Sequence, residues 1–235
     1  MKLMVLDGNS VINRAYYGVR ALTTRDGFFT NAIYGFLNIL EKLRADEKPD
    51  ALCVAFDLKA PTFRHLKYDG YKATRHPMPD ELAMQMPVMK DVLRAMRIPI
   101  FECEGWEADD VIGTIGKRCG HAGWDCVIVT GDRDSLQLID EHVTVKLVSS
   151  KLSQTVAVNY DPAKFREEYG FAPIHLIDLK ALMGDSSDNI PGVAGVGPKT
   201  ATQLLLDYGT LDGVYAHLDA VKEKLRAKLE QGRDS

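Results

Sequence analysis

The chain alternates short, almost wholly apolar runs with longer segments whose apolar positions recur three or four residues apart. Lys2–Leu6, Ala51–Phe56, Ile98–Phe101 and Cys126–Thr130 carry the first pattern and predict buried strands. Ala32–Leu43, Glu81–Met96 and Ala108–Cys119 carry the second and predict helices. Apolar strands alternating with helices imply an α/β body, a mostly parallel sheet covered on both faces. A further strand pair is expected at Val143–Leu147 and Thr155–Asn159. The methionines of "ELAMQMPVMKDVLRAM" fall at helical spacing and are assigned to the core.

From Asp161 onward the pattern is helical with short turns. Asp161 before Pro162 supplies a cap and a first helical position, and Gly170, Gly184 and Gly209 fall where helices end. A boundary near residues 160–170 follows, with domains over 1–165 and 166–235. The stretch "DLKAPTFRHLKYDGYKATRHPMP", Asp57–Pro79, has weak periodicity and mixes Lys59, Arg64, Lys67, Lys72 and Arg75 with Phe63, Tyr68 and Tyr71. A connection this long is either a solvated surface loop or a functional segment.

Composition narrows the class. With 235 residues, 46% of them hydrophobic, the chain can bury a sizeable core. Its apolar runs are too short to cross a bilayer, and "MKLMVLDGNS" lacks the zones of a signal peptide, so a cytoplasmic location without a membrane partner is expected. Four cysteines form no CxxC pair and are expected as reduced thiols. A net charge of −4 argues against a nucleic-acid partner unless many acids gather around cations.

The acids do show such a pattern. Three predicted strands end in aspartate: Asp7, Asp57 and Asp132, with Asp134 two residues later. One strand-end aspartate is usually a turn former or cap, but in open parallel sheets ligands bind beyond the carboxyl ends of the strands. "GWEADDVIG" adds Glu107, Asp109 and Asp110 at a helix start, more negative charge than the helix dipole needs. Asp185 and Asp188 complete a set of nine. Gathered in space, they stay ionised only with divalent cations, and oxygen ligands select Mg²⁺ or Mn²⁺ over zinc. Two such ions suit metal-assisted phosphodiester hydrolysis. Setting nine acids aside leaves the remainder of the chain at +5.

Beside the last acid pair runs "GVAGVGPKTA". Gly192, Gly195 and Gly197 permit a tight turn, Val193 and Val196 punctuate it, and Lys199 and Thr200 open the next helix. The turn reads as a phosphate cradle, or as a plain glycine-capped helix–helix turn. Arg14 is either a DNA contact or an ordinary surface arginine, and Tyr71 either stacks on an unpaired base or packs half-buried.

The motifs "LDGNSVINRAYY", "FDLKAPTFRHLKYDGYKATRHPMP", "EADDVIGT", "TGDRDSLQL" and "LMGDSSDNIPGVAGVGPKTA" resemble those of the 5′-nuclease family. They are most similar to its polymerase I branch, the N-terminal 5′-to-3′ exonuclease domain. The resemblance implies a PIN-like α/β body, a helical arch over about residues 58–80 and a helix–three-turn–helix DNA-binding region. It assigns Asp7, Asp57, Glu107 and Asp109 to a first ion, with Asp110 close by, and Asp132, Asp134, Asp185 and Asp188 to a second. Lys72 and Arg75 would act on the scissile phosphate, and Gly192–Gly197 with Lys199 and Thr200 would hold duplex backbone, with K⁺ on turn carbonyls.

The activity so implied is Mg²⁺-dependent cleavage by a monomer at 5′ flaps, nicks, overhangs and RNA-primer/DNA junctions. It would leave 5′-phosphates and serve primer removal and repair. The family's domain continues for further helices and in one branch a polymerase, so a truncated C-terminal region is expected. A junction-DNA-binding module without strong catalysis is the rival reading. A phosphatase with an aspartyl nucleophile is disfavoured, because the position it would need is Asn9.

Overall fold

The computed structural model describes residues 1–151 and 154–233 and divides into two compact units, Met1–Thr62 with Pro77–Asp161, and Phe63–His76 with Pro162–Ser235. The first unit holds strands β1 (Lys2–Asp7), β2 (Ala51–Ala55), β3 (Ile100–Phe101), β4 (Asp125–Thr130), β5 (Val143–Lys151) and β6 (Gln154–Tyr160). They form one sheet in the order β3-β2-β1-β4-β5-β6. All pair in parallel except β6, which runs antiparallel to β5. Helices α1 (Gly8–Gly18), α2 (Asn31–Glu47), α4 (Asp80–Ala83), α5 (Gln85–Ala95) and α6 (Ala108–His121) cover it, α3 (Phe63–Lys67) belonging to the second unit.

Side chains alternate along the central strands as a two-sided core demands. Met4, Leu6, Val54, Val127 and Val129 join Ile12, Phe36, Leu40, Met89 and Leu93 of the helices in one core cluster. The alternate positions Val5, Cys53 and Ile128 are equally buried, and the glycine face of α6 meets Ile128 and Val143 at Gly116. Cys53, Cys119 and Cys126 are buried free thiols, while Cys103 is exposed.

The fold departs from the pattern-based reading in three places. The run Gly8–Gly18, to which no helix is assigned from the sequence, is α1, started by Asp7 accepting the Ser10 N–H at 2.9 Å. The single helix expected over Glu81–Met96 is broken at Met84. Pro87 explains the break: it has no N–H for the Ala83 carbonyl and its ring crowds that residue. The methionines of this stretch are also not uniformly core, since Met89 is fully buried but Met84 and Met96 are exposed. With the helix restarted at Gln85, only one face of α5 meets the sheet.

The second unit is helical: α3 (Phe63–Lys67), α7 (Pro162–Tyr169), α8 (Leu176–Met183), α9 (Pro198–Tyr208), α10 (Leu211–Ala216) and α11 (Glu223–Gln231). Its core includes Phe165, Leu179, Leu182, Ala201, Leu204, Leu205 and Val214. The basic segment Phe63–His76 packs within this unit through the loop that follows α8. Asn189 donates to the Gly70 carbonyl at 2.8 Å and Lys72 N–H to the Asp188 carbonyl at 2.9 Å.

Candidate metal centre and nucleic-acid interface

In the sheet order, the chain runs outward from β1 through β2 on one side and through β4 on the other. The crevice beyond the strand ends at that reversal is where α/β sheets bind ligands. Asp7 ends β1, Asp57 follows β2 and Asp132 follows β4. Asp7 is 5% exposed. Burial pushes its carboxyl up to about 6, and the neighbouring charges of Asp57 and Asp132 add to the rise, against hydrogen bonds from Ser10 and Thr130. Three strand-end carboxylates therefore share one electrostatic environment.

Helix α6 brings its N-terminus to the same place: the Ala108 N–H donates to Asp57 Oδ1 at 2.7 Å. Glu107, buried, and Asp110 form a capping box, in which Asp110 Oδ2 accepts the Glu107 N–H at 3.0 Å. Asp109 lies half-buried in the same first turn. Asp132 caps the 3₁₀ turn Arg133–Leu138 by accepting the Asp134 N–H at 2.9 Å. Arg14, exposed on α1, donates to the Gly131 carbonyl at 3.0 Å and so braces the loop that carries Asp132.

Three supporting residues went unrecognised in the sequence. Asn9 accepts the Asp57 N–H at 3.0 Å. Thr130 donates to Asp7 Oδ2 at 2.8 Å, and Ser10 accepts the Gly131 N–H at 2.8 Å. Their only sequence signal is a small polar residue beside each acid.

Asp185 and Asp188 belong to the second unit, and each meets a cation there. Lys180 Nζ lies 2.7 Å from Asp185 Oδ2, and Ser187 donates both N–H and hydroxyl to Oδ1. Burial works against the Asp185 charge, but these partners outweigh it and hold the carboxyl well below the usual carboxylate range. Arg75 Nη2 lies 2.5 Å from Asp188 Oδ1, and the Tyr71 hydroxyl donates to Oδ2 at 3.2 Å. The Tyr71 ring is buried, edge-on to His65, and presents no open face to a base. Lys72 has a positive φ of 54° and sets its ammonium 4.9 Å from the Tyr71 ring centre.

The glycine turn joins α8 to α9. A side chain at Gly192 would stand 2.1 Å from the Gly184 nitrogen, so two backbones touch where only glycine fits. Val193 and Val196 are buried and anchor the turn rather than line its surface. Gly197 precedes α9, with Lys199 exposed and Thr200 half-buried in its first turn. The Gly195 carbonyl accepts Lys228 Nζ from α11 at 3.1 Å, an internal cation at a turn expected to offer carbonyls to K⁺.

Among the described residues, no group of three or more acids, histidines or cysteines closes around a single metal position as the side chains stand. Asp7, Asp57, Asp110, Asp132 and Asp185 are instead turned to protein donors. The donor set still fits a hard divalent cation. The acids of the α/β unit supply only oxygen donors at the sheet's reversal, and among them the Asp7 carboxyl is raised chiefly by burial and further by the charges of Asp57 and Asp132.

Two family profiles match the chain: "5′-3′ exonuclease, N-terminal resolvase-like domain" over residues 2–170, and "5′-3′ exonuclease, C-terminal SAM fold" over residues 171–235. DNA polymerase I of Caldicellulosiruptor bescii is 48% identical over 234 residues, covering 100% of this chain and 28% of that protein. DNA polymerase I of Bacillus subtilis is 42% identical over 234 residues, covering 99% and 26%. The chain thus spans about a quarter of the length of these relatives. A structure of the bacteriophage T5 flap endonuclease with DNA and metal ions superposes with a TM-score of 0.76 at 23% identity, over 98% of this chain and 84% of that one. The catalytic core of Rad2 with DNA substrate gives 0.59 at 16% identity, over 100% and 74%. At such identities the likeness is one of fold, a PIN-like body with a helical C-terminal region.

Proposed function

The chain belongs to the 5′-3′ exonuclease family, and from that premise we propose that it is a Mg²⁺-dependent, structure-specific 5′ nuclease. Its substrates are DNA with 5′ flaps, nicks or overhangs, including RNA-primer junctions, and its products carry 5′-phosphates. The observation that supports this most is the meeting of Asp7, Asp57 and Asp132 at the sheet's reversal, with Asp7 buried among like charges.

Asp7, Asp57, Glu107 and Asp109, with Asp110 beside them, would hold one divalent ion, and Asp132, Asp134, Asp185 and Asp188 would serve a second. Such ions would supply Lewis-acid chemistry, lowering the pKa of water and offsetting charge on a leaving oxygen. The chain's own part is to place and neutralise phosphate. Lys72 and Arg75 carry fixed charge to the scissile group, and Arg75 exchanges its Asp188 partner for a phosphate oxygen as substrate arrives. The glycine turn, Lys199 and Thr200 hold duplex backbone through N–H groups, an ammonium and a hydroxyl. Lys228 already supplies positive charge at that turn, and K⁺ there would compete with its ammonium for the Gly195 carbonyl.

Incubating the protein with a 5′-flap duplex and Mg²⁺ should release the flap. Asp132→Asn should cut at least about 100-fold more slowly, as loss of a charged ligand does in metal sites. Equal cutting by the two proteins would overturn the assignment. Tight flap binding without cleavage in Mg²⁺ or Mn²⁺ would mark a binding module instead.

A further inference from the structure

Two hydroxyls join the strand ends that carry the acids. Thr130 is fully buried, and its Oγ1 accepts the Asp132 N–H at 3.0 Å. With that lone pair committed, the hydroxyl proton is directed to Asp7 Oδ2 at 2.8 Å. One atom thus binds the acid of β1 to the backbone of the acid after β4. Ser10 makes a second rung one residue away: its N–H donates to Asp7 Oδ1 at 2.9 Å and its Oγ accepts the Gly131 N–H at 2.8 Å. Both oxygens of Asp7 are therefore oriented by groups that also grip the Thr130–Asp132 loop.

We propose that Thr130, supported by Ser10, is a positioning residue that sets the separation and rotation of Asp7 and Asp132 as metal ligands. The proposal rests on the nuclease reading above and concerns residues to which that reading gives no role. Packing alone does not explain a hydroxyl here. Valine has the same shape, suits a buried strand end and needs no partners. It would, however, leave the Asp132 N–H without its acceptor and one oxygen of Asp7 without its donor. Loss of a group that orients a metal ligand typically costs about 10–100-fold in metal affinity.

The test is Mn²⁺ binding to the DNA-free protein, followed by electron paramagnetic resonance of the unbound ion, alongside kcat and KM on a 5′-flap duplex. Thr130→Val should weaken the tightest Mn²⁺ site about 10–100-fold and lower kcat more than it raises KM, while Thr130→Ser should stay within about threefold of the parent. A structural role alone would lower the melting temperature of the valine variant without moving its Mn²⁺ affinity, and that result would overturn the proposal. Equal weakening in the serine and valine variants would also overturn it. Should the valine variant not fold, Thr130→Cys carries the comparison. Its thiol is a poorer donor and should give weaker Mn²⁺ binding than serine, and equality would refute the role. A parent protein that neither binds Mn²⁺ nor cuts the flap would instead remove the nuclease reading, and the positioning role with it.

Discussion

Surroundings give carboxylates of one chemical type opposite properties in this chain. Asp7 is pushed up to about 6 by burial and by two neighbouring acids, whereas Asp185, also buried, is held low by Lys180 and Ser187. Glu47 falls on the low side too. Burial raises it, but hydrogen bonds from Lys146 and Lys2, the latter at 2.6 Å, bring it below its ordinary value of 4.5. These lysines lie at the start of β1 and on β5, so the cluster ties the end of α2 to the sheet. A carboxyl lowered on folding stabilises above its unfolded pKa and loses that contribution as pH falls through the folded one. Glu47→Gln should therefore cost about 1.5–3 kcal/mol at pH 7, with the gap to the parent closing below about pH 4. Urea midpoints across pH measure it, and a gap unchanged at pH 3 would refute it. The strand-end aspartates were legible because an acid after an apolar run is conspicuous. Their tethers were not: the partner of Thr130 lies 123 residues away, and a threonine after four apolar residues looks like any strand end.

At the scale of elements, the strands were plain because β1, β2 and β4 are apolar on both faces, as a covered parallel sheet requires. Helix α1 was obscured by its opening glycine and by having only Val11, Ile12 and Ala15 as fully buried apolar side chains. Helix α2 has a start that no local motif announces. Thr30 makes no side-chain cap, and Gln85 from α5 supplies its Oε1 to the Ala32 and Ile33 N–H groups instead. The turn between α8 and α9 is the opposite case, since glycine spacing announced it and backbone contact explains it. Gly192→Ala should destabilise the protein by about 2–4 kcal/mol, because the new methyl meets the Gly184 backbone. Gly197→Ala, where a methyl meets nothing within 4 Å, should stay within about 0.5 kcal/mol. Thermal melts of the two variants decide it, and equal losses would contradict the account of the turn.

Across the whole molecule, the change from strand–helix alternation to helices was visible in the sequence, and the units divide between Asp161 and Pro162. The allegiance of Phe63–His76 to the helical unit was not visible. That segment has little periodicity, and its attachments include a backbone carbonyl at Gly70, an N–H at Lys72 and the side chains of Tyr71 and Arg75. Such contacts leave no pattern to read. Seven of the nine singled-out acids fall in the α/β unit and two in the helical one. On the proposed reading, the α/β set holds divalent cations. A crystal soaked in Mn²⁺ and measured at the manganese absorption edge tests this most directly. Anomalous density bounded by Asp7, Asp57 and Asp132 is the expected result. Manganese absent from those strand ends, at a concentration that supports flap cleavage, would contradict it.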